Sequence, residues 1–484
     1  MFVPEPALRN ALTKPSQTTT EDHRPPAASD AGRGRPILLA AFPALAAIPI
    51  PASGEVVGRA WLEAAGVADT EVSGRHVRFF HVGGRLQVED VGSRNGMYIG
   101  GARVHAGERV DLDDGNVLRI GRTLVVYRET FTGAESPAPP LGHLVGPWGL
   151  TAVRQELASL EARHARNVLL QSETGMGKEL NVLLQGETGT GKELLAKAVV
   201  EALGRGGKPY APVNVAGIPA SVFEGQLFGW KKGAYSGAVG DSRGVLRAHQ
   251  GGSVFLDEIG ELPPEVQPKI LRLLENREIL PVGEDHPVQV EVALIAATNR
   301  PLETMVKKRI FRRDLLARFL IRLELPPLRD RPEDLFAILQ EIRARQGAPF
   351  DPKVTEVEAV ERLMLEPWRA NVRDIERLAA SIDPSAPLTQ CAVERALEPA
   401  RLHAAQRKMR AAPGAAQPRA AVSPPALEAE AAPGGDIRAR LQQVEKQMYE
   451  DALRKTHGDL MQAAKLLDVP RRTLGRKIKA LGIK

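Results

Sequence analysis

Two consecutive segments, NVLLQSETGMGKEL at 167–180 and NVLLQGETGTGKEL at 181–194, agree at twelve of fourteen positions. Only the second spells G-x-x-x-x-G-K, through Gly186, Glu187, Thr188, Gly189, Thr190, Gly191 and Lys192; the first has Ser172 where the opening glycine belongs. That pattern does chemistry because backbone N–H groups curled over a phosphate, with a helix starting behind them, form an anion site to which the lysine adds a point charge. Behind Lys192 runs ELLAKAVVEAL, which sets Leu195, Val199 and Ala202 on one helical face, whereas the chain after Lys178 re-enters an apolar, strand-like run. Lys192 is therefore the working lysine, and 167–180 reads as an insertion ahead of it. Farther on, Val254, Phe255 and Leu256 end in Asp257-Glu258. An acidic pair at a strand tip can hold Mg²⁺ through Asp257 and polarise an attacking water through Glu258. A third run, VEVALIAATNR, ends in Thr298-Asn299, polar groups able to sense a γ-phosphate. An acidic pair alone often merely caps a strand; the three features at this spacing specify a nucleotide triphosphate site.

The elements that must position these groups follow from the pattern of the whole chain. At 484 residues it has room for roughly three domains. No apolar run approaches the ~18 residues of a membrane span, and Met1–Asp30 is polar and proline-bearing, unlike a secretory leader. A cytoplasmic protein with no membrane partner is expected. The one cysteine, Cys391, excludes an internal disulfide and a cysteine metal cluster, and is expected to be a buried small side chain. Residues 1–33 lack hydrophobic periodicity and are expected to be disordered. Between 34 and 130 come short β-rich runs broken by glycine, the pattern of a β-sandwich. Residues 131–142, with ESPAPP, read as a linker. From 143 to 328 helical and strand patterns alternate, as a parallel α/β sheet requires. Residues 329–402 carry only helical patterns and suit a small helical lid; 403–435 is an Ala/Pro-rich tether. The tail, 436–484, holds twelve Lys/Arg against six Asp/Glu, an excess equal to the net +6 of the whole chain. So local a surplus points to nucleic acid as the partner of the tail.

Within the β-rich region VVGR (Gly58, Arg59), SGRH (Ser73 to His76) and GSRNG (Gly92 to Gly96) occur in the order of the forkhead-associated (FHA) domain, which this stretch resembles. That resemblance implies a sandwich whose loops read phosphothreonine, with Arg59, Ser73, Arg75, Arg94 and Asn95 lining the site and His76 bracing it. An arginine fork and a serine hydroxyl suit phosphate, and an asparagine suits a peptide backbone. Met97 stands where threonine usually follows the NG. The alternative is a sandwich that serves only as a docking surface.

The middle of the chain has a narrower likeness. GETGTGKE, PVNVAGIPASVFEGQLFG, GAYSGA, VFLDEIGEL, PVGE, ATNR, FRRDLLARF, LPPLRDRPED and NVRDIERL occur in the order seen in bacterial enhancer-binding proteins, the AAA+ activators of sigma-54 RNA polymerase. The resemblance implies an ATPase that uses ATP with Mg²⁺ at Asp257 and assembles into a ring, with six subunits the expected count. Glu193 replaces the hydroxyl residue common after the P-loop lysine, as is usual in that family. By the same likeness Asn214 would hold Glu258 until ATP binds, Arg312 and Arg318 would reach a neighbour's γ-phosphate, and Arg373 would be the lid sensor. Arg313, between them, reads as a solvated helix charge. Gly233, Ala234, Tyr235, Ser236, Gly237 and Ala238 resemble the loop that grips sigma-54, with Tyr and Ser keeping the aromatic ring and the hydroxyl. The tail resembles a Fis-type helix-turn-helix, in which Arg471, Arg472, Thr473, Arg476 and Lys477 would face enhancer DNA.

These readings combine into a transcriptional activator governed by a phosphothreonine-bearing protein or segment. Two rivals remain: a DNA-binding regulator whose ATPase is impaired by the duplicated segment, and an ATPase that acts on another polymerase factor. The duplication frames the first rival. If the extra copy loops out, the enzyme works; if it takes the first strand's place in the sheet, a degenerate loop faces the nucleotide.

Overall fold

The computed structural model describes residues 34–174, 181–234 and 240–398, together with Thr456. The expected disordered N-terminus, the tether, the helix-turn-helix and most of the GAYSGA loop lie outside the described residues.

The N-terminal region is an all-antiparallel sandwich. Its strands are β1 (Arg35–Phe42), β2 (Ala46–Ile48), β3 (Val56–Val57), β4 (Val77–Val82), β5 (Arg85–Asp90), β6 (Met97–Ile99), β7 (Ala102–Val104), β8 (Arg109–Leu112), β9 (Val117–Ile120) and β10 (Thr123–Phe131). They form one sheet in the order β2-β1-β10-β9-β6-β7 and another in the order β3-β4-β5-β8, with helix α1 (Arg59–Ala64) between β3 and β4. Side chains alternate across a strand, so the inward Leu38, Ala40, Leu118, Ile120, Val125 and Tyr127 meet Val77, Phe79 and Val88 of the facing sheet. The outward parity of the larger sheet is also buried: Ala41, Val117, Leu124 and Val126 belong to the core of the helical lid, joined by Phe42, which a bulge after Ala40 turns to that side. Continuous apolar runs such as ILLAAF and LVVY are the signature of a strand covered on both faces.

The central region is a parallel five-stranded sheet in the order β12-β13-β16-β11-β17. Its strands are β11 (Val182–Gln185), β12 (Tyr210–Asn214), β13 (Ser253–Asp257), β16 (Ala293–Thr298) and β17 (Ile321–Glu324), while β14 (Glu278–Ile279) and β15 (Val288–Gln289) make a separate hairpin. Helices α2 (Thr151–Thr174), α3 (Lys192–Ala202), α4 (Ala220–Phe228), α5 (Gly244–Ala248), α6 (Gln267–Asn276), α7 (Leu302–Lys307) and α8 (Arg313–Ala317) surround it. Leu195, Val199 and Ala202 are buried, as the helical spacing of α3 requires. The lid is α9 (Leu335–Arg345), α10 (Val357–Met364) and α11 (Val372–Ser381), followed by a helix at 390–398. Cys391 lies on the outer side of that last helix and is exposed, not buried as expected.

The twin segments adopt different structures. Residues 181–194 supply strand, loop and helix start, whereas 167–174 of the first copy continue α2. The sheet has one slot between β16 and β17, and Val182 fills it opposite Ile295 and Ile321. Both positions at which the copies differ are positions the loop constrains. A Cβ at Gly186 would stand 2.9 Å from the Leu325 carbonyl oxygen, so the serine of the first copy fits poorly. The fully buried Thr190 donates its hydroxyl to the Glu187 carbonyl at 2.9 Å, a bond that Met176 of the first copy cannot make.

Candidate functional site

The nucleotide site is assembled at the C-terminal edge of the parallel sheet, where ligands of open α/β folds sit. Gly191, with φ 105°, turns the chain from the loop into α3. Lys192 is 7% exposed, and its ammonium donates to the carbonyls of Gly186 (2.9 Å) and Glu187 (3.1 Å). Burial pushes that ammonium below the ordinary lysine value; Glu258 and Asp257 oppose the fall and Arg373 adds to it. The lysine thus feels the acidic pair and the lid arginine together. Asp257 ends β13, and its carboxylate accepts the Glu258 N–H at 3.0 Å. Glu258 itself sits in the left-handed region at φ 58°, a conformation costly for a non-glycine residue and frequent at active sites. Its carboxylate accepts the Asn299 N–H at 3.3 Å, and the Asn299 amide donates to the Thr188 hydroxyl at 2.8 Å. Strands β11, β13 and β16 therefore deliver P-loop, acid pair and polar tip to one place. Thr298 is buried, and its hydroxyl accepts the Arg300 N–H at 3.0 Å.

Asn214 is aligned with Asp257 by the β12–β13 register, but its side-chain oxygen accepts the Gly217 N–H at 3.1 Å and caps a short 3₁₀ turn. Its hydrogen bond is spent there and not on Glu258. Arg312 forms a bidentate pair with Asp314, at 2.9 and 2.6 Å, and Arg318 pairs with Glu275. Both arginines are about half exposed and held by partners outside the P-loop, which leaves their guanidinium groups at the surface. Arg313 is exposed at the start of α8. Gly233 and Ala234 close a turn in which the Ala234 N–H reaches the Lys231 carbonyl at 3.0 Å, and below them Trp230 pairs with Ser242. Tyr235 to Ala238 lie outside the described residues.

The lid grips the loop through residues that the sequence pattern did not single out. Arg329 forms a bidentate pair with Glu187 at 2.9 and 2.7 Å. Asn371, buried and at φ 54°, donates to the Glu187 carboxylate and to the Thr188 carbonyl, each at 3.1 Å, and accepts the Leu328 N–H at 2.7 Å. Hydrogen bonds from Arg329, then from Asn371, hold the Glu187 carboxyl below its ordinary range. The Val372 N–H reaches the Gly189 carbonyl at 2.9 Å. A Cβ at Gly189 would meet the Ala370 carbonyl oxygen at 2.1 Å, so only glycine permits this approach. Arg373, one residue farther along α11, has its side chain beside Gly189. Arg329 and Asn371 fall inside LPPLRDRPED and NVRDIERL, but nothing in residue spacing shows that a segment 140 or more positions away meets the P-loop.

The loops of the sandwich form the second site. Arg59 donates to the carbonyls of Val72 (3.1 Å) and Thr70 (2.8 Å), and the Ser73 hydroxyl accepts the Arg94 N–H at 3.2 Å. His76 is fully buried; its Nδ1 lies 3.1 Å from the Ser73 N–H and its Nε2 3.1 Å from the Gly96 carbonyl. A backbone N–H facing Nδ1 and a carbonyl facing Nε2 require a neutral ring with its proton on Nε2. Burial lowers the pKa of this imidazole, in agreement with the neutral ring. Asn95 donates to the Glu71 carbonyl at 2.8 Å, while Arg75 and Arg94 are exposed. The five expected residues and the bracing histidine therefore converge on adjoining loops. Arg103, which the motifs do not include, extends its guanidinium along Gly96. No group of three or more metal-ligating side chains occurs among the described residues, and none of their helices is long and apolar enough to cross a membrane.

Fold and sites define a chain that joins an antiparallel β-sandwich to a P-loop nucleotide-binding domain. Comparison with known proteins gives the same order of parts: an FHA domain at 56–121, a Sigma-54 interaction domain at 161–324 and a Bacterial regulatory protein, Fis family, domain at 440–481. The DNA-binding transcriptional activator HyfR of Escherichia coli is 41% identical over 45% of this chain and 31% of its own length. The DNA-binding transcriptional regulator NtrC of Rhizobium meliloti is 33% identical over 75% of each protein. A crystal structure of NtrX from Brucella abortus covers 70% of this chain and 69% of that one, at 24% identity and TM-score 0.43. The chain belongs to the family of sigma-54-dependent transcriptional regulators, with an AAA+ ATPase domain between an FHA domain and a Fis-type DNA-binding domain.

Proposed function

We propose that this protein activates sigma-54 RNA polymerase holoenzyme from enhancer DNA by hydrolysing ATP in a homo-oligomeric ring of six subunits, in the cytoplasm, under control of a phosphothreonine ligand. The observation that carries the reading is the convergence of Lys192, Asp257, Glu258 and Asn299 on one edge of the sheet. Lys192 would exchange its two backbone carbonyls for phosphate oxygens. Asp257, a partly exposed carboxylate at a strand tip, suits a hard divalent cation, so it is the residue that would hold Mg²⁺, whose charge would offset that of the phosphates. Glu258, aimed by the Asn299 N–H, would orient water, and Thr298-Asn299 would register the γ-phosphate. Arg312 and Arg318, exposed at the two ends of α8, would complete the site of a neighbouring subunit, which makes turnover depend on assembly. Asn214 would leave its Gly217 cap to restrain Glu258 in the nucleotide-free state. Arg373 beside Gly189 would sense nucleotide from the lid.

Gly233 to Ala238 would rise onto sigma-54. Arg471, Arg472, Thr473, Arg476 and Lys477 would bind the enhancer, and Arg59, Ser73, Arg75, Arg94 and Asn95 the phosphothreonine. Residues 167–174 of the extra segment lengthen α2, and the β11 slot goes to the complete loop, which favours an active ATPase over an impaired one. ATP turnover measured against protein concentration, for wild type and Lys192→Ala, tests the enzyme. Equal rates would refute it, and a rate per subunit independent of concentration would refute the ring. Transcription by sigma-54 polymerase with Ser236→Ala tests the target, since an unimpaired variant would exclude contact through that hydroxyl.

A further inference from the structure

The FHA domain and the lid share one core. Phe42 of β1 meets Phe336 of α9 edge to face at 5.0 Å, and Leu124 and Val126 of β10 lie in the same apolar cluster as Leu339, Val360 and Leu378. Two arginines of the larger sheet and one of its β9–β10 turn reinforce this contact. Arg119 of β9 pairs with Glu358 (2.6 Å) and Glu361 (2.9 Å) of α10. Arg122 donates to the carbonyls of Pro352, Lys353 and Thr355, at 2.9 to 3.1 Å, in the turn that leads into α10. Arg128 of β10 pairs with the buried Glu333 at 2.7 Å and donates to the Asp330 carbonyl at 2.7 Å. Asp330 directly follows Arg329, the partner of Glu187 in the P-loop. The same apolar cluster includes Ile375 and Leu378 of α11, whose start supplies Asn371 and Val372 to that loop.

We infer that Arg119 and Arg128 are positioning residues for the nucleotide site. Neither touches the P-loop. Each fixes a lid element, α10 for Arg119 and the turn before α9 for Arg128, and the lid in turn sets Arg329 and Asn371 against Glu187 and Thr188. Interfaces packed to core density shift as units and do not deform gradually, so loosening the sandwich from the lid moves the loop that binds nucleotide. The guanidinium of Arg119 also stacks on Tyr98 at 3.7 Å, and Tyr98 lies two residues after Gly96 of the phosphate-reading loop. The contact that governs the lid therefore stands beside the site that would read phosphothreonine.

The inference rests on the nucleotide-binding reading, and the test separates the two. ADP would be titrated calorimetrically into full-length wild type, Arg119→Gln and Arg128→Gln, with Arg109→Gln as the control because Arg109 pairs with Glu89 on the opposite sheet. We expect both lid-facing variants to lose about fivefold or more in ADP affinity, the usual size of a coupling between sites, and the control to match wild type. Coupling is reciprocal, so ADP should also slow amide exchange in β9 and β10 of the wild-type protein, a readout that a purely structural role would leave unmoved. Arg128→Gln strands a buried carboxylate; if it fails to fold, Arg119→Gln and the wild-type exchange measurement still decide. Unchanged ADP affinity in folded Arg119→Gln, with no ADP effect on β9 and β10, overturns the inference. Wild type that binds no ADP refutes the nucleotide site itself.

Discussion

Replacing Arg128 with methionine should destabilise the FHA–lid unit far more in mild base than in mild acid. Glu333 is 2% exposed, pairs with Arg128 and lies near Asp334 and Arg331. Burial outweighs the attraction of Arg128 and raises its pKa from the ordinary 4.5 to about 7. For an acid whose folded pKa is raised, the stabilising contribution is complete below the unfolded value and is lost as pH climbs through the folded one. In wild type that loss therefore ends near neutrality. Without Arg128 the main group that opposes burial is gone, the folded pKa rises further, and the loss continues into base. Breaking a buried pair by removing one partner costs about 3–5 kcal/mol when the remaining group is charged. In acid, where Glu333 keeps its proton in both proteins, the deficit should shrink to about 1–2 kcal/mol, the worth of the hydrogen bonds to Glu333 and to the Asp330 carbonyl. Urea unfolding followed by tryptophan fluorescence, at about pH 5.5 and about pH 8, brackets the transition. The buried Trp148, packed against Phe131 of β10, and the buried Trp368 report on the sandwich and the lid. A deficit equal at both pH values, or larger in acid, would refute the assignment of Glu333 as the titrating partner.

Other expectations are simpler to check. Gly186→Ser with Thr190→Met turns the working loop into the sequence of its twin and should abolish ADP binding, while deletion of 167–180 should leave calorimetric affinity within about threefold, since residues 167–174 continue α2 outside the sheet. Gly189→Ala drives a methyl toward the Ala370 carbonyl at a φ of +80°, so about 1–3 kcal/mol of strain and at least a tenfold loss of ADP affinity should appear. His76→Ala removes the bridge between the Ser73 N–H and the Gly96 carbonyl and should cost the sandwich about 2–4 kcal/mol by urea denaturation. Because burial lowers the His76 pKa, its contribution is complete above the ordinary 6.5 and should fade as pH drops below it, which a pH series of unfolding midpoints would reveal.

Much of the site was legible because its chemistry is local. A P-loop, an acidic strand tip and a polar strand tip each occupy a few consecutive residues, and GSRNG and SGRH likewise carry their own turns and hydrogen bonds. Three things were not legible. The apolar runs ILLAAF and LVVY announce strands buried on two faces, but not that the second face meets the lid. Arg119, Arg122 and Arg128 look like ordinary strand and turn charges until α9 and α10 stand opposite them. Asn214 carries the family's motif, yet its hydrogen bond goes to the Gly217 N–H three residues ahead.

The doubled segment draws the line most sharply. The sequence by itself determined that only one copy could bind phosphate, since the opening glycine and the following helix belong to the second. It did not determine what the first copy becomes. NVLLQ is apolar and unpatterned enough for either helix or strand, and the same letters extend α2 at 167–171 and form β11 at 182–185. Only the tertiary structure decided between them: β16 and β17 leave room for one strand, and the residues at 186 and 190 fix which copy occupies it, through the space beside Leu325 and the hydrogen bond to Glu187.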